Sequence, residues 1–256
     1  MVRELAKIYN IKRLAPEIYS MWCTSPIIAK QTKPGQFVQV QIKDSFEPFL
    51  CRPISIADAQ DNKLRMIFRV RGKGTKLLIE KKVKECIYLL GPLGDPIPSI
   101  KGKNIILCAG GVGIAPLLFL AKKLAKNNKL YLFFGAKNKS ELILLNEFKQ
   151  LCEEIFLTTD DGSQGKKGFV TDLLFNNIRH RPFDFQYLFT AGPVEMIKKI
   201  SNFKFPISNL KLYGFLEERM GCGCGICFTC GVKKKDGGYF RTCTDGPVFD
   251  LSLIEL

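Results

Sequence analysis

Apolar and polar residues alternate in short runs up to about residue 98, and the period then changes. Gln36-Phe37-Val38-Gln39-Val40-Gln41-Ile42 follows Pro34-Gly35 and has the period of two that places alternate side chains on opposite faces of a strand. Leu64-Arg65-Met66-Ile67-Phe68-Arg69-Val70 repeats the pattern and stops at Gly72-Lys73-Gly74, while Cys86-Ile87-Tyr88-Leu89-Leu90 runs into Gly91-Pro92-Leu93-Gly94. One helical stretch, around 75–82, interrupts the strands. Many short strands with Gly/Pro turns predict a small antiparallel barrel over residues 1–98. After Lys101-Gly102-Lys103, apolar runs at 105–109, 130–135, 155–159, 187–191 and 210–213 alternate with helical patterns at 116–126, 141–152, 170–176 and 194–203. That alternation predicts a parallel sheet with crossover helices, a nucleotide-binding type of domain, over 101–213. Beyond Gly214 both periods vanish, and a small third subdomain is expected over 214–256. The fold class is thus α+β multidomain.

The last segment is defined by cysteine. Five of the ten cysteines lie between Cys222 and Cys243. Four residues separate Cys222 from Cys227, two separate Cys227 from Cys230, and Cys243 follows after twelve more. This C-x4-C-x2-C…C spacing is that of a plant-type [2Fe-2S] site, which moves electrons one at a time. Glycines 221, 223 and 225 flank the first cysteines. Positive φ there would let the loop curl and aim N–H groups at sulfur, offsetting the charge of a four-thiolate cluster. Cys224 is surplus to a four-ligand set and reads as a free thiol. A structural zinc site is the competing reading, since Cys227-x-x-Cys230 would also serve zinc; zinc ribbons, however, usually show two C-x-x-C knuckles, and here the partner is a lone Cys243.

Composition changes the picture little. The hydrophobic share of 46% and charged share of 25% are those of an ordinary globular chain. Met1 to Lys7 lacks the apolar core of a signal peptide, and the most apolar stretch, 105–121, is broken by Gly110, Gly111, Gly113 and Pro116. The expectation is a cytoplasmic protein with no membrane span, in a reducing compartment that disfavours disulfides. Cys23, Cys51, Cys86, Cys108 and Cys152 then read as small buried residues. The net charge of +15 is spread along the chain without a long basic block, and no nucleic-acid-binding motif accompanies it. The single histidine, His180, has no evident partner and is expected in a surface loop, so no catalytic acid or base is assigned.

Two further motifs carry chemistry. Arg52-Pro53-Ile54-Ser55 is followed one strand later by Gly72-Lys73-Gly74-Thr75. Arginine binds pyrophosphate bidentately, a serine hydroxyl suits a flavin ring nitrogen, and Gly74 and Thr75 at a helix start offer N–H groups to phosphate. Taken alone, R-P-x-S also fits an edge strand ended by proline. Ala109-Gly110-Gly111-Val112-Gly113 joins the first α/β strand to its helix, where a dinucleotide can approach the helix N-terminus, although a tight turn would look the same. Ala191-Gly192-Pro193 ends a later strand with the same small residues. No acidic residue ends the second strand, and Lys137 suits a 2′-phosphate, so the residues leave NAD and NADP both open.

The order of these motifs resembles the ferredoxin-reductase superfamily and, within it, the electron-transfer subunits of B-type, NAD-dependent dihydroorotate dehydrogenase. The resemblance runs the length of the chain: the motifs above, Gly91-Pro92-Leu93-Gly94, Thr159-Asp160-Asp161-Gly162-Ser163, Leu216-Glu217-Glu218-Arg219-Met220 and Asp245-Gly246-Pro247-Val248-Phe249. It implies FAD on the barrel, held by Arg52, Pro53, Ile54 and Ser55 and completed by Ile67, Phe68, Arg69, Gly74 and Thr75. NAD would then lie on Gly110, Gly111, Gly113, Ala191, Gly192 and Pro193. Cys222, Cys227, Cys230 and Cys243 would ligate the cluster near a separate FMN-containing catalytic subunit, in a heterotetramer of two of each. Electrons from dihydroorotate would pass from FMN through cluster and FAD to NAD, in pyrimidine biosynthesis. Cys224, and a short hairpin before Cys243, depart from the family pattern without removing a ligand. A subunit of an NAD(P)H:ferredoxin oxidoreductase or sulfide dehydrogenase is the alternative, though such relatives carry aspartate at the position of Cys222; a zinc-stabilised nucleotide-binding regulator is more remote.

Overall fold

The structure, a computed structural model, describes residues 1–42, 49–180 and 184–256. They form two compact units: Met1–Ile97 with Glu217–Val232 and Tyr239–Pro247, and Pro98–Leu216 with Lys233–Gly238 and Val248–Leu256. By their contacts, residues after Gly214 divide between the two units.

The first unit is a closed antiparallel barrel. Its strands are β1 (Val2–Ala15), β2 (Ile18–Thr24), β3 (Phe37–Gln41), β4 (Arg52–Gln60), β5 (Lys63–Arg69) and β6 (Cys86–Leu93), hydrogen-bonded in the order β1-β2-β5-β4-β3-β6. Ile8, Met21, Val38, Val40, Ile56, Leu64, Met66 and Leu89 are buried between them. Directly opposed residues of an antiparallel pair share a face. Phe37 opposes Ser55 and Gln39 opposes Pro53 across β3 and β4, so these four occupy the face opposite to that of Val38, Val40 and Ile54. The alternation in β3 predicts an exposed Gln39, but it is buried.

Among the described residues two helices accompany the strands, where the pattern predicts one. The expected helix is α2 (Lys73–Glu80). The other, α1 (Pro26–Gln31), lies against β1, β4, β5 and β6. Its first turn is held by the buried Glu4 carboxylate, which accepts from Ser25 Oγ (2.5 Å), Ile27 N (3.1 Å) and Ile28 N (3.0 Å). Six residues are too short to show a helical period, and their acceptor is distant in sequence.

The second unit carries a sheet in the order β10-β9-β8-β7-β11-β12-β15. Its strands are β7 (Asn104–Gly110), β8 (Lys129–Ala136), β9 (Glu154–Thr159), β10 (Lys166–Lys167), β11 (Tyr187–Ala191), β12 (Lys211–Phe215) and β15 (Val248–Asp250), all parallel except β15. The helices are α3 (Ile114–Leu124), α4 (Leu145–Phe148), α5 (Val170–His180) and α6 (Val194–Asn202). The helix expected over 141–152 is only the short α4, because Leu144 takes the left-handed φ of 63°, which breaks a helix of L-residues. His180 ends α5 instead of lying in a loop; Arg181 and Pro182 beside it lie outside the described residues. A hairpin of β13 (Gly231–Lys233) and β14 (Tyr239–Arg241) precedes Cys243. Among the described residues no helix is long and apolar enough to cross a membrane.

Glu4→Ala should leave the Ser25 hydroxyl and two helix N–H groups without their acceptor. We expect a loss of about 2 kcal/mol in barrel stability, read as a lower denaturation midpoint by the fluorescence of Trp22 on β2.

Candidate functional site

The cysteine loop is folded as its glycines predict. Gly223 and Gly225 take φ of 71° and 83°, whereas Gly221 keeps an ordinary conformation. The curl turns three backbone N–H groups, from Cys224 (3.4 Å), Ile226 (3.3 Å) and Cys227 (3.4 Å), onto the Sγ of Cys222. Burial opposes ionisation of Cys222, but these N–H groups and the Cys227 thiol outweigh it and bring the pKa down to about 6. Hydrogen bonding with Thr229, chiefly its side chain, lowers Cys227 as well. Burial, reinforced by a hydrogen bond to Cys230, pushes Cys243 up to about 12.

Cys222 and Cys227 share a hydrogen bond, as do Cys230 and Cys243, and Cys243 also feels the charge of Cys222. Among the described residues, no three His, Cys, Asp or Glu side chains gather around one point, as a single metal ion would require. Two pairs of thiols match the two thiolates that each iron of a [2Fe-2S] cluster takes. The donor set thus fits a two-iron cluster. Cys224 donates to Cys222 and has its own pKa raised by that bond first.

The pairs differ in surroundings. Cys230 and Cys243 are buried with Phe37 of β3 and Leu93 of β6, and Met220 packs against them. Cys227 is exposed and Cys222 half-buried, beside the outward-facing Ile226 (78% exposed) and Phe228 (64%). Bracing for the loop comes from residues the sequence reading missed. Arg241 Nη1 donates to the Gly225 carbonyl (3.2 Å), and Asp245 accepts from the Arg241 N–H (2.8 Å) and the Thr244 hydroxyl (2.9 Å). Burial works against the Asp245 carboxylate, yet these bonds hold its pKa below the usual range. The i, i+4 spacing of Arg241 and Asp245 around the last cysteine was the available signal. Gly246 then accepts from Asp95 N (2.6 Å), and a side chain on Gly94 would meet the Gly246 carbonyl at 2.5 Å. The barrel's G-P-L-G turn and the chain beyond Cys243 are joined there.

On the barrel, Arg52 and Gly74 are brought together: a Cβ on Gly74 would lie 2.2 Å from Arg52 Nε. Arg52 Nη1 donates to the carbonyls of Leu50 and Cys51. Thr75 Oγ1 accepts from Arg71 N and Gly72 N, capping α2, so its hydroxyl is committed, while the first-turn N–H groups of the helix have no intrahelical acceptor. Ser55 is half-buried and Pro53 exposed on the same face; Ile54, Ile67 and Phe68 are buried, and Arg69 lies 4.0 Å from Glu17.

In the second unit the two glycine motifs interlock. A Cβ on Gly113 would lie 2.3 Å from the Ala191 carbonyl, and one on Gly110 would lie 2.8 Å from Pro193 Cδ. Gly111, with φ of 54°, faces open space, leaving a cradle at the start of α3. Lys137 is exposed at the end of β8, as are Glu217 and Glu218 beyond β12. Of the scattered cysteines, Cys23 and Cys108 are buried and Cys51 and Cys152 half-buried, but Cys86 is exposed because it opens β6 at the barrel's rim.

Two known domain families match the chain. Residues 217–255 match the family described as the iron–sulfur cluster binding domain of dihydroorotate dehydrogenase B, and residues 107–202 match the oxidoreductase NAD-binding domain. The chain is 34% identical, over 97% of both sequences, to "Dihydroorotate dehydrogenase B (NAD(+)), electron transfer subunit" of Bacillus cereus (strain Q1). The chain belongs to this family of electron-transfer subunits. It also superposes with a TM-score of 0.88 and 32% identity on a structure described as an NADH-dependent reduced ferredoxin-NADP oxidoreductase, covering 98% of this chain and 90% of that one. A ferredoxin reductase of carbazole 1,9a-dioxygenase, at 18% identity and TM-score 0.67 over 82% of this chain and 68% of that one, shares the fold alone. Members of the dihydroorotate dehydrogenase B electron-transfer family are oxidoreductase subunits, and the fold here is that of the ferredoxin reductases, which takes FAD, joined to NAD-binding and iron–sulfur domains. Membership implies a catalytic partner subunit.

Asp245→Ala should free Arg241 from its carboxylate and Gly225 from Arg241. We expect amide exchange across residues 221–230 to rise at least tenfold while exchange in β7 and β8 stays unchanged.

Proposed function

We propose that this chain passes electrons from an FMN-containing dihydroorotate dehydrogenase subunit through a [2Fe-2S] cluster and FAD to NAD+, in the cytoplasm, within a heterotetramer of two chains of each kind. The observation that carries the reading is the burial of Cys230 and Cys243 against Phe37 and Leu93 of the barrel, with backbone N–H groups turned onto the Cys222 sulfur in the same loop. Bound FAD supplies the conversion between single electrons and a hydride.

The residues divide the work. Arg52, held beside Gly74, presents its guanidinium to the pyrophosphate, and the N–H groups of Gly74 and Thr75 add to it. Ser55 offers a hydroxyl to the flavin ring beside the exposed Pro53, while Ile54, Ile67 and Phe68, whose side chains are buried, would contribute backbone and Arg69 its side chain. Ser55 opposes Phe37, and Phe37 packs on Cys230 and Cys243; this adjacency supports a short path between cluster and flavin within one unit. Gly110 and Gly113, locked to Ala191, Gly192 and Pro193, and Gly111, open beside them, leave backbone close enough for the NAD pyrophosphate. Cys222 and Cys227, with Ile226 and Phe228, face outward, which supports docking of the catalytic subunit at that edge. No side chain is assigned as acid or base: a hydride is two electrons and one proton, and the proton that electrons from the cluster do not bring would come from solvent.

The likeness to a reduced ferredoxin-NADP oxidoreductase favours a second reading, with the same cofactors and ferredoxin as the one-electron partner. The complex of this chain with a co-expressed catalytic subunit decides between them. It should carry electrons from dihydroorotate to NAD+ faster than the catalytic subunit alone; equal rates sink the first reading. Replacing Cys222, Cys227, Cys230 or Cys243 by alanine should remove iron and acid-labile sulfide from the anaerobically purified protein, whereas Cys224→Ser should keep both. Zinc in place of iron would establish a structural site instead.

A further inference from the structure

Gln39 is a buried amide with neither end satisfied. It is 1% exposed, and neither Oε1 nor Nε2 has a hydrogen-bond partner among the described residues. A primary amide offers two N–H donors and a two-lone-pair acceptor, and a buried one left unpaired forfeits all its hydration. The other orphans of this kind among the described residues are single threonine hydroxyls at 32, 158, 171 and 190. The position of Gln39 is equally specific. It lies two residues beyond Phe37 on the same face of β3, and Phe37 packs on Cys230 and Cys243. A Cβ added to Gly223 would lie 2.9 Å from Gln39 Cγ and 3.0 Å from its Nε2, so the amide sits directly beneath the residue that separates Cys222 from Cys224.

An acceptor-rich, anionic group is what such an amide lacks. Thiolates and bridging sulfides only accept hydrogen bonds, and donors to them favour the reduced, more negative cluster. We propose that the Gln39 side-chain amide donates an N–H hydrogen bond to a sulfur of the [2Fe-2S] cluster and so raises its reduction potential, making Gln39 a positioning residue for electron transfer. This rests on the assignment of the cluster to the four cysteines given above. No bond forms or breaks in the step: one electron arrives at the cluster and one leaves, and Gln39 moves the point of balance.

The test is a redox titration of the holo complex carrying Gln39→Met, similar in length but without donors, or Gln39→Glu, similar in shape but anionic. Iron and sulfide content should match wild type. In Gln39→Met the cluster–FAD electron equilibrium should move about tenfold toward FAD, equivalent to about 59 mV for a one-electron couple. Gln39→Glu should shift it further in the same direction, and the FAD potential should not move. A cluster potential in Gln39→Met equal to that of wild type overturns the proposal, as does a shift confined to FAD; either result would leave an ordered water or the flavin as the amide's partner. Should a variant lose its cluster, pulsed EPR of reduced wild-type protein, with 15N in the glutamine side-chain amides, still decides. Hyperfine coupling from an amide 15N is expected, and its absence overturns the proposal. Wild-type protein lacking iron and sulfide would instead overturn the cluster assignment itself.

Discussion

Burial of the Cys230/Cys243 pair against Phe37 and Leu93 ties the chemistry of this chain to its fold. A cysteine loop rich in glycine has little structure of its own, since glycine loses the most conformational freedom on ordering. Two thiols buried with a phenyl ring and a leucine give it a floor, and the Arg241–Asp245 pair with its backbone bonds gives it a brace. Residues after 214 are thereby drawn back onto the barrel, while 233–238 and 248–256 complete the other unit. The last cysteine is placed by the same junction, because the chain leaving it packs Gly246 onto the Gly94 turn.

That floor also gives the site a direction. The buried pair rests on the barrel face that carries Ser55 and Pro53, and the half-buried Cys222 and exposed Cys227 look outward. The electrostatics follow the same division. Backbone N–H groups converge on Cys222 at the exposed end and favour its thiolate, whereas burial and a thiol neighbour favour the protonated form of Cys243. A group with two thiolates at each end would thus have one end solvated and N–H-rich, and the other dry. Within a relay, the wet end suits docking and the dry end suits a short, water-free step to a flavin.

Much of this was legible in the residues. Period two, then alternating strands and helices, then cysteines gave the barrel, the parallel sheet and the loop in the right order, because each rests on a local repeat. What failed was non-local. The helix α1 is six residues long and is held by Glu4, more than twenty positions away. The helix expected over 141–152 collapsed to one turn at Leu144, where a left-handed backbone leaves the apolar pattern unchanged. Spacing alone said which cysteines belong together but not that they meet as two pairs, since pairing depends on where the hairpin β13–β14 returns Cys243. Gln39 is the clearest case. Alternation marks it as solvent-facing, and it becomes buried only because a loop nearly two hundred residues later closes over it.

The burial of Gln39 has a physical consequence for the relay. Period-two patterning distinguishes the inside of a barrel from its outside, but an outer face covered by a cofactor segment obeys neither rule. Phe37 and Gln39 show the two kinds of residue such a face needs. The ring excludes water from the buried sulfurs, and the amide supplies polarity where water has been excluded. An all-apolar face would give a dry contact without donors, which destabilises an anionic group; an all-polar one would admit water and lengthen the path. Alternating an aromatic and an amide along one face of β3 satisfies both conditions.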